Sequence, residues 1–117
     1  ICMKRKKRPA SQSEAMRLKW KRRIVFEKGY IESCAEWMAE RLEALLDHMQ
    51  YGHAAVAYRK QNGSFQLAKA TLIYYEAEFH REYDPTEVEG AVVYWNVDEQ
   101  RWTTFQVENF MEWRPVM

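Results

Sequence analysis

Residues 91–107, AVVYWNVDEQRWTTFQV, constrain this chain more than any other stretch. Two apolar runs of strand length flank the polar break Asp98-Glu99-Gln100. Val, Tyr, Trp, Thr and Phe dominate both runs, the composition of a pleated, half-buried surface. Gly90 precedes the segment, and Glu108-Asn109 separate it from one last short apolar run. The pattern predicts a β-hairpin at the centre of a small barrel.

Five strands are expected in all, the hairpin supplying two. Residues 54–60 form the first, and Gln61-Asn62-Gly63 makes a tight turn, with Asn-Gly supplying positive φ angles. Residues 65–75 form a second and longest strand. Residues 76–89 are acidic, lack periodicity and contain Asp84-Pro85, so they read as an excursion between strands. Residues 107–110 suit a single helical turn, and residues 111–116 a fifth strand.

Two helices are predicted ahead of the strands. In residues 15–28, Met16, Trp20 and Ile24 recur at spacing four and form one apolar stripe. Ser11 or Ser13 is the expected cap, helped by Glu14, and Gly29 the stop. From Glu32 or Ser33 to Gln50, Cys34, Met38, Leu42, Leu45 and Met49 mark a second buried face, widened by Trp37 and Leu46. The expected class is α+β: two N-terminal helices followed by a five-stranded antiparallel Sm-like/SH3-like barrel, closed so that no edge is exposed. The division is a disordered basic tail at residues 1–12, a two-helix section at 13–52 and the barrel at 53–117.

Charge divides the chain. The net charge of +1 hides eleven Lys or Arg against two Glu in residues 1–28, a balance of +9, and −8 over the rest. A basic arm on an acidic body follows. Lys4, Arg5, Lys6, Lys7 and Arg8 are an unbroken cluster, and Arg17, Lys19, Lys21, Arg22 and Arg23 lie around the first helix. These ten are the candidate nucleic-acid contacts, electrostatic and without sequence readout. The same charges suit a solubilising tail, a solvated helix face, or docking onto an acidic protein surface, in this chain or another. In that rival, Trp20 and Trp37 lie in a buried interface.

Catalytic chemistry finds little footing. His48 and His53 are five apart and His80 sits in the acidic excursion, which is not metal-ligand spacing. Cys34 falls on the apolar helix face and reads as core. There is no Gly-x-Ser-x-Gly elbow and no Gly-rich phosphate loop. No enzyme, cofactor or metal is expected. No run approaches a membrane span, and two isolated cysteines suggest a cytoplasmic protein.

AVAYRKQNGSFQLAKATL followed by VVYWNVDEQRWTTFQVENF resembles a bacterial WYL-like family with an Sm-like SH3 barrel, over about residues 54–113. Tyr58 and Arg59 match its first strand, Tyr94-Trp95 its aromatic pair, and Trp102 and Phe105 its Trp-x-x-Phe strand. The resemblance implies an accessory module of bacterial regulators or defence systems that senses ligands or contacts nucleic acid. The family's late strand often carries arginines where this chain has Thr103 or Thr104, Gln106 and Asn109. An anionic partner is therefore expected to lean on the N-terminal arm. Tyr58, Arg59, Trp95, Arg101 and Trp102 are the candidate ligand or partner surface of the barrel, with Trp95 and Trp102 able to stack on bases or receive a protein if they face outward.

Overall fold

The computed structural model of the protein describes residues 8–117. Helices α1 (Ala10–Lys28) and α2 (Glu32–Met49) come first. Strands β1 (His53–Arg59) and β2 (Phe65–Thr71), a short helix α3 (Tyr75–Phe79), and strands β3 (Ala91–Asn96), β4 (Arg101–Gln106) and β5 (Phe110–Val116) follow. One-turn 3-10 helices sit at Pro85–Glu87 and Val107–Asn109, the second where the helical turn was expected.

The α1 stripe falls where its spacing placed it: Met16, Trp20 and Ile24 are buried. Its start does not. Pro9 occupies the cap and its carbonyl accepts from the Gln12 and Ser13 amides at 3.0 and 3.2 Å, so neither Ser11 nor Ser13 caps the helix. Proline presets the backbone without a side-chain acceptor. Residues 10–12, expected within the tail, form the first turn of α1. At the other end Gly29 takes a left-handed φ of 70° and its amide returns to the Val25 carbonyl at 2.8 Å.

The buried face of α2 is rotated from the expected one at its N-terminal end. Ala35, Met38, Ala39, Leu42, Leu45, Leu46 and Met49 are buried, whereas Cys34 and Trp37 are exposed. Ala35 and Ala39 take the inward positions, and small side chains there let a neighbouring helix approach closely. The bulky Trp20 and Ile24 of α1 belong to the same buried cluster. Trp20, expected at an interface in the assembly reading, is a core residue that donates through Nε1 to the Val88 carbonyl at 2.9 Å.

The sheet order is β4-β3-β2-β1-β5, antiparallel throughout. β1 pairs along its length with β2, and with β5 through a register shift at Ala57/Tyr58. The β2–β3 pairing is brief, Ala70 with Asn96 and Thr71 with Trp95. The β3–β4 hairpin, expected at the centre of the barrel, therefore lies at one edge of the sheet, and β1, paired along its length on both sides, holds the sheet together. The expected closure is absent: among the described residues β4 and β5 do not pair, so the barrel is open. The edge problem is met differently. Arg41 of α2 donates to the Trp113 carbonyl at 2.7 Å and accepts from the Trp113 indole at 2.9 Å, covering β5.

Two connections differ from the sequence reading. β2 stops at Thr71 rather than Tyr75. The Thr71 hydroxyl donates to the Gly52 carbonyl at 2.7 Å and accepts from the Ile73 amide at 3.2 Å, and Leu72 N donates to the Met49 carbonyl at 2.8 Å. These bonds turn the chain off the sheet into α3. The β1–β2 loop needs positive φ at Gly63 alone, at 88°, with Lys60 N donating to the Ser64 carbonyl at 2.8 Å. That is a three-residue loop with glycine in the left-handed position.

Both helices and the inward residues of all five strands belong to one buried cluster. Tyr58, Tyr94, Phe105, Phe110 and Trp113 supply its aromatic part.

Candidate binding surfaces

Five of the ten candidate nucleic-acid cations are engaged within the molecule. Arg8 pairs with Glu43 at 2.6 Å and Asp47 at 3.0 Å, and Arg17 reaches the other oxygen of Glu43 at 2.7 Å. Lys19 pairs with Glu89 at 2.9 Å and also donates to the Thr86 carbonyl. Lys21 lies between Glu32 and Glu36, at 3.1 and 3.3 Å. Arg23 meets Glu108 at 2.7 Å and donates to Gln106 at 3.2 Å. Burial alone would raise the Glu43 carboxyl, but the hydrogen bonds from Arg8 and Arg17 outweigh it and hold the group below its ordinary value. The hydrogen bond to Glu108 raises Arg23 in turn. Arg22 is exposed and has no ion pair among the described residues, and Lys4, Arg5, Lys6 and Lys7 lie outside them.

The charge division is thus met in large part inside one chain. The acidic partners are Glu32, Glu36, Glu43 and Asp47 on α2, Glu89 in the long excursion and Glu108 after β4. Nothing in the spacing of α1 identifies them, since they lie up to 85 residues away in sequence.

A second group of cations has no such partners. Arg59, Lys60, Lys69 and Arg114 are exposed and form no ion pair among the described residues. Register puts three of them on one face. Ala55 stands between Lys69 and Arg114, Ala57 lies opposite Leu67, and Arg59 opposite Phe65. Directly paired residues share a face, so Arg59, Phe65, Leu67, Lys69 and Arg114 surround a floor of two alanines. Glu112, opposite Ala57 on β5, stands on the same face with its carboxylate held by Arg41 at 2.7 Å. Phe65 and Leu67 are 54% and 63% exposed, unusual for large apolar side chains on a strand. Sequence reading missed this face because β2 is inverted: its small residues Ala68 and Ala70 are buried and its large ones point out. The phase of FQLAK, with Lys69 in step with Leu67 and Phe65, was the available signal.

Next to this face, where the barrel stays open, Tyr58, Arg59, Lys60, Thr103, Thr104, Gln106 and Asn109 line a crevice of about 160 Å³. The positions that the resemblance pairs with arginines therefore come together here. Arg59 and Lys60, from the first hairpin, bring positive charge to them.

The barrel candidates are not brought to one surface. Tyr58 faces inward with Ala54 and Val56, and its hydroxyl meets that of Tyr94 at 2.6 Å. Phe105 stacks on Tyr58 at 4.8 Å. Tyr58 is therefore a core residue and not a surface one. Burial, with the bond to Tyr58, pushes the Tyr94 hydroxyl far above its ordinary value. Trp95 and Trp102 are cross-strand neighbours on the outer face of the β3–β4 hairpin, half-buried, with ring centroids 5.3 Å apart. Arg101 is held by Glu99 at 2.9 Å.

His48 Nε2 lies 2.8 Å from the His53 carbonyl oxygen and its ring packs on Trp113, while His80 takes the left-handed position after α3. Among the described residues no three His, Cys, Asp or Glu side chains gather as a metal site. No helix among them is long and apolar enough to cross a membrane.

The helices, sheet order and one-turn helix before β5 define an open Sm-like barrel carrying a helical hairpin. The model of the WYL_2 family, described by its Sm-like SH3 β-barrel fold, matches residues 42–111, and the chain belongs to that family. The match begins inside α2, ahead of the first strand. No curated protein and no solved structure matches the chain.

Proposed function

We propose that this protein is a small non-enzymatic bacterial binding module of the cytoplasm that contacts nucleic acid electrostatically. The observation that carries this reading is the separation of two sets of cations. Arg8 and the α1 cations Arg17, Lys19, Lys21 and Arg23 hold acidic groups of the molecule, while Arg59, Lys60, Lys69 and Arg114 form no ion pair among the described residues and lie on and beside one sheet face. Unpaired Lys and Arg over a flat surface suit phosphate oxygens, and such contacts position a strand without reading its sequence. Phe65 offers a ring beside them on which a base can stack, which favours single strands. Lys4, Arg5, Lys6, Lys7 and Arg22 extend the same electrostatic attraction.

A rival reading has the basic helix docking on the acidic surface of another molecule. That docking would first have to break the pairs to Glu43, Asp47, Glu89 and Glu108. A small anionic ligand in the crevice beside Arg59 and Lys60 is the form a sensing role would take. Salt titration of nucleic-acid binding tests the leading reading. Affinity indifferent to salt, or to neutralising the four sheet cations, would reject it.

A further inference from the structure

A cleft elsewhere on the barrel has the opposite electrostatic character. It lies between the outer face of the β3–β4 hairpin and α3, with a volume of about 450 Å³, and Tyr74, Ala77, Glu78, Trp95, Val97, Gln100 and Trp102 line it. Trp95 is its central wall. Tyr74 stands to it at 76° with centroids 6.0 Å apart, and Trp102 at 69° and 5.3 Å. Phe79 and the buried Tyr75 pack against Trp102 from α3, at 5.1 and 6.2 Å, and hold that ring in place. Three aromatic walls therefore meet at steep angles in a recess the folded chain leaves open.

Two polar side chains line the recess. The Gln100 amide is used locally, donating to the Val97 carbonyl at 2.6 Å. Glu78 is exposed and has no ion pair among the described residues. The surroundings share its sign: residues 74–102 carry eight carboxylates against two arginines. Both arginines are already paired, Arg81 with Glu87 and Arg101 with Glu99.

We infer that this cleft is a docking site for a Lys- or Arg-bearing segment of a partner protein, with the cationic group against Trp95, Tyr74 and Trp102 and paired with Glu78. Ring faces attract ammonium and guanidinium groups through their quadrupole, and an unpaired carboxylate at the rim adds direct charge complementarity. An uncharged apolar occupant would leave Glu78 unused. A nucleic-acid strand would bring phosphates into an acidic surround, so the base-stacking role expected for Trp95 and Trp102 is disfavoured where they stand. The volume accommodates one or two side chains, as for a short linear segment. This site is separate from the sheet face assigned to nucleic acid and does not depend on that assignment.

Two capped pentapeptides test it, one carrying Lys and Arg and a twin with norleucine and citrulline in their place. Each is titrated into the full chain while the indole N–H signals are followed by NMR. The expected result is saturable shifts of the Trp95 and Trp102 signals with the cationic peptide, weakened about tenfold with the twin. Glu78→Gln should weaken binding about threefold or more while leaving the fold spectrum intact. Equal binding of the twin, an unchanged affinity in Glu78→Gln, or no shift at millimolar peptide would overturn the proposal. Movement of these indoles with an oligothymidine but not with the peptide would replace it with base stacking.

Discussion

Arg23 reaches Glu108 across the backbone of Gly90, where a Cβ would stand 2.6 Å from the guanidinium carbon. The bond joins α1 to the one-turn helix before β5, and the Val107 amide bonds the Gly90 carbonyl at 2.8 Å in the same place. Gly90 does not have a positive φ, so space rather than backbone conformation requires glycine there.

Gly90→Ala should therefore destabilise the protein modestly, by about 0.5–1.5 kcal/mol, because the guanidinium can swing aside only by giving up its bonds to the buried Glu108. Most of that cost should vanish in an Arg23→Ala background, because the three atoms nearest the new methyl group all belong to the Arg23 guanidinium. Urea unfolding of the four variants measures the coupling. Additive costs would mean that the clash lies elsewhere.

The Tyr58–Tyr94 hydroxyl pair makes a second cycle. Tyr58→Phe removes a partner from a buried hydroxyl and should cost about 1–3 kcal/mol, and Tyr94→Phe a similar amount. The double variant should be less unstable than the sum of the two, since it strands no hydroxyl. Equal or greater loss in the double variant would show that each hydroxyl has its own essential partner.

Acid should loosen the helical hairpin through Glu43. Its folded value is depressed below the ordinary 4.5, so in acid the unfolded chain takes up this proton first. The stabilisation is present above the ordinary value and is lost as pH falls through the depressed one. Urea midpoints at pH 7 and pH 3 should therefore differ more for the wild type than for Glu43→Gln. Identical differences would remove the Arg8–Glu43–Arg17 cluster as a source of acid sensitivity.

How much of this was legible in the chain follows from the range of the interactions. The α1 stripe, the β3–β4 hairpin and the turn before β5 are set by local periodicity and composition and form over the expected residues. The place of the hairpin at the edge of the sheet rather than its centre depends on long-range pairing. The end of β2 is set by Thr71 reaching Gly52 and the α2 terminus, so TLIYY reads as strand until those partners are known. Cys34 and Trp37 fit a helical spacing whose inward positions Ala35 and Ala39 in fact fill, and alanines carry too weak a hydrophobic signal to mark a buried face in a sequence. Openness of the barrel depends on where β4 and β5 end in space, which no pairing pattern in the sequence fixes. The candidate site suffered most. Charge counting located a basic helix and an acidic body, but only the fold reveals that they satisfy each other in part and that Arg59, Lys60, Lys69 and Arg114, like Arg22 and Lys28 of α1, are free of ion pairs among the described residues.

That separation is the central claim, and binding of a short single-stranded oligonucleotide across a salt series tests it most directly. The wild-type chain is compared with one in which Arg59, Lys60, Lys69 and Arg114 are Gln, and one in which Arg17, Lys19 and Arg23 are Gln. The sheet variant should bind weakly, its log-log salt slope reduced by about 3 if each cation releases about 0.7 counterions on single strands. The helix variant should lose stability while keeping most of the slope. A helix variant that loses the slope while the sheet variant keeps it, or a wild-type chain that binds nothing at low salt, would contradict the account.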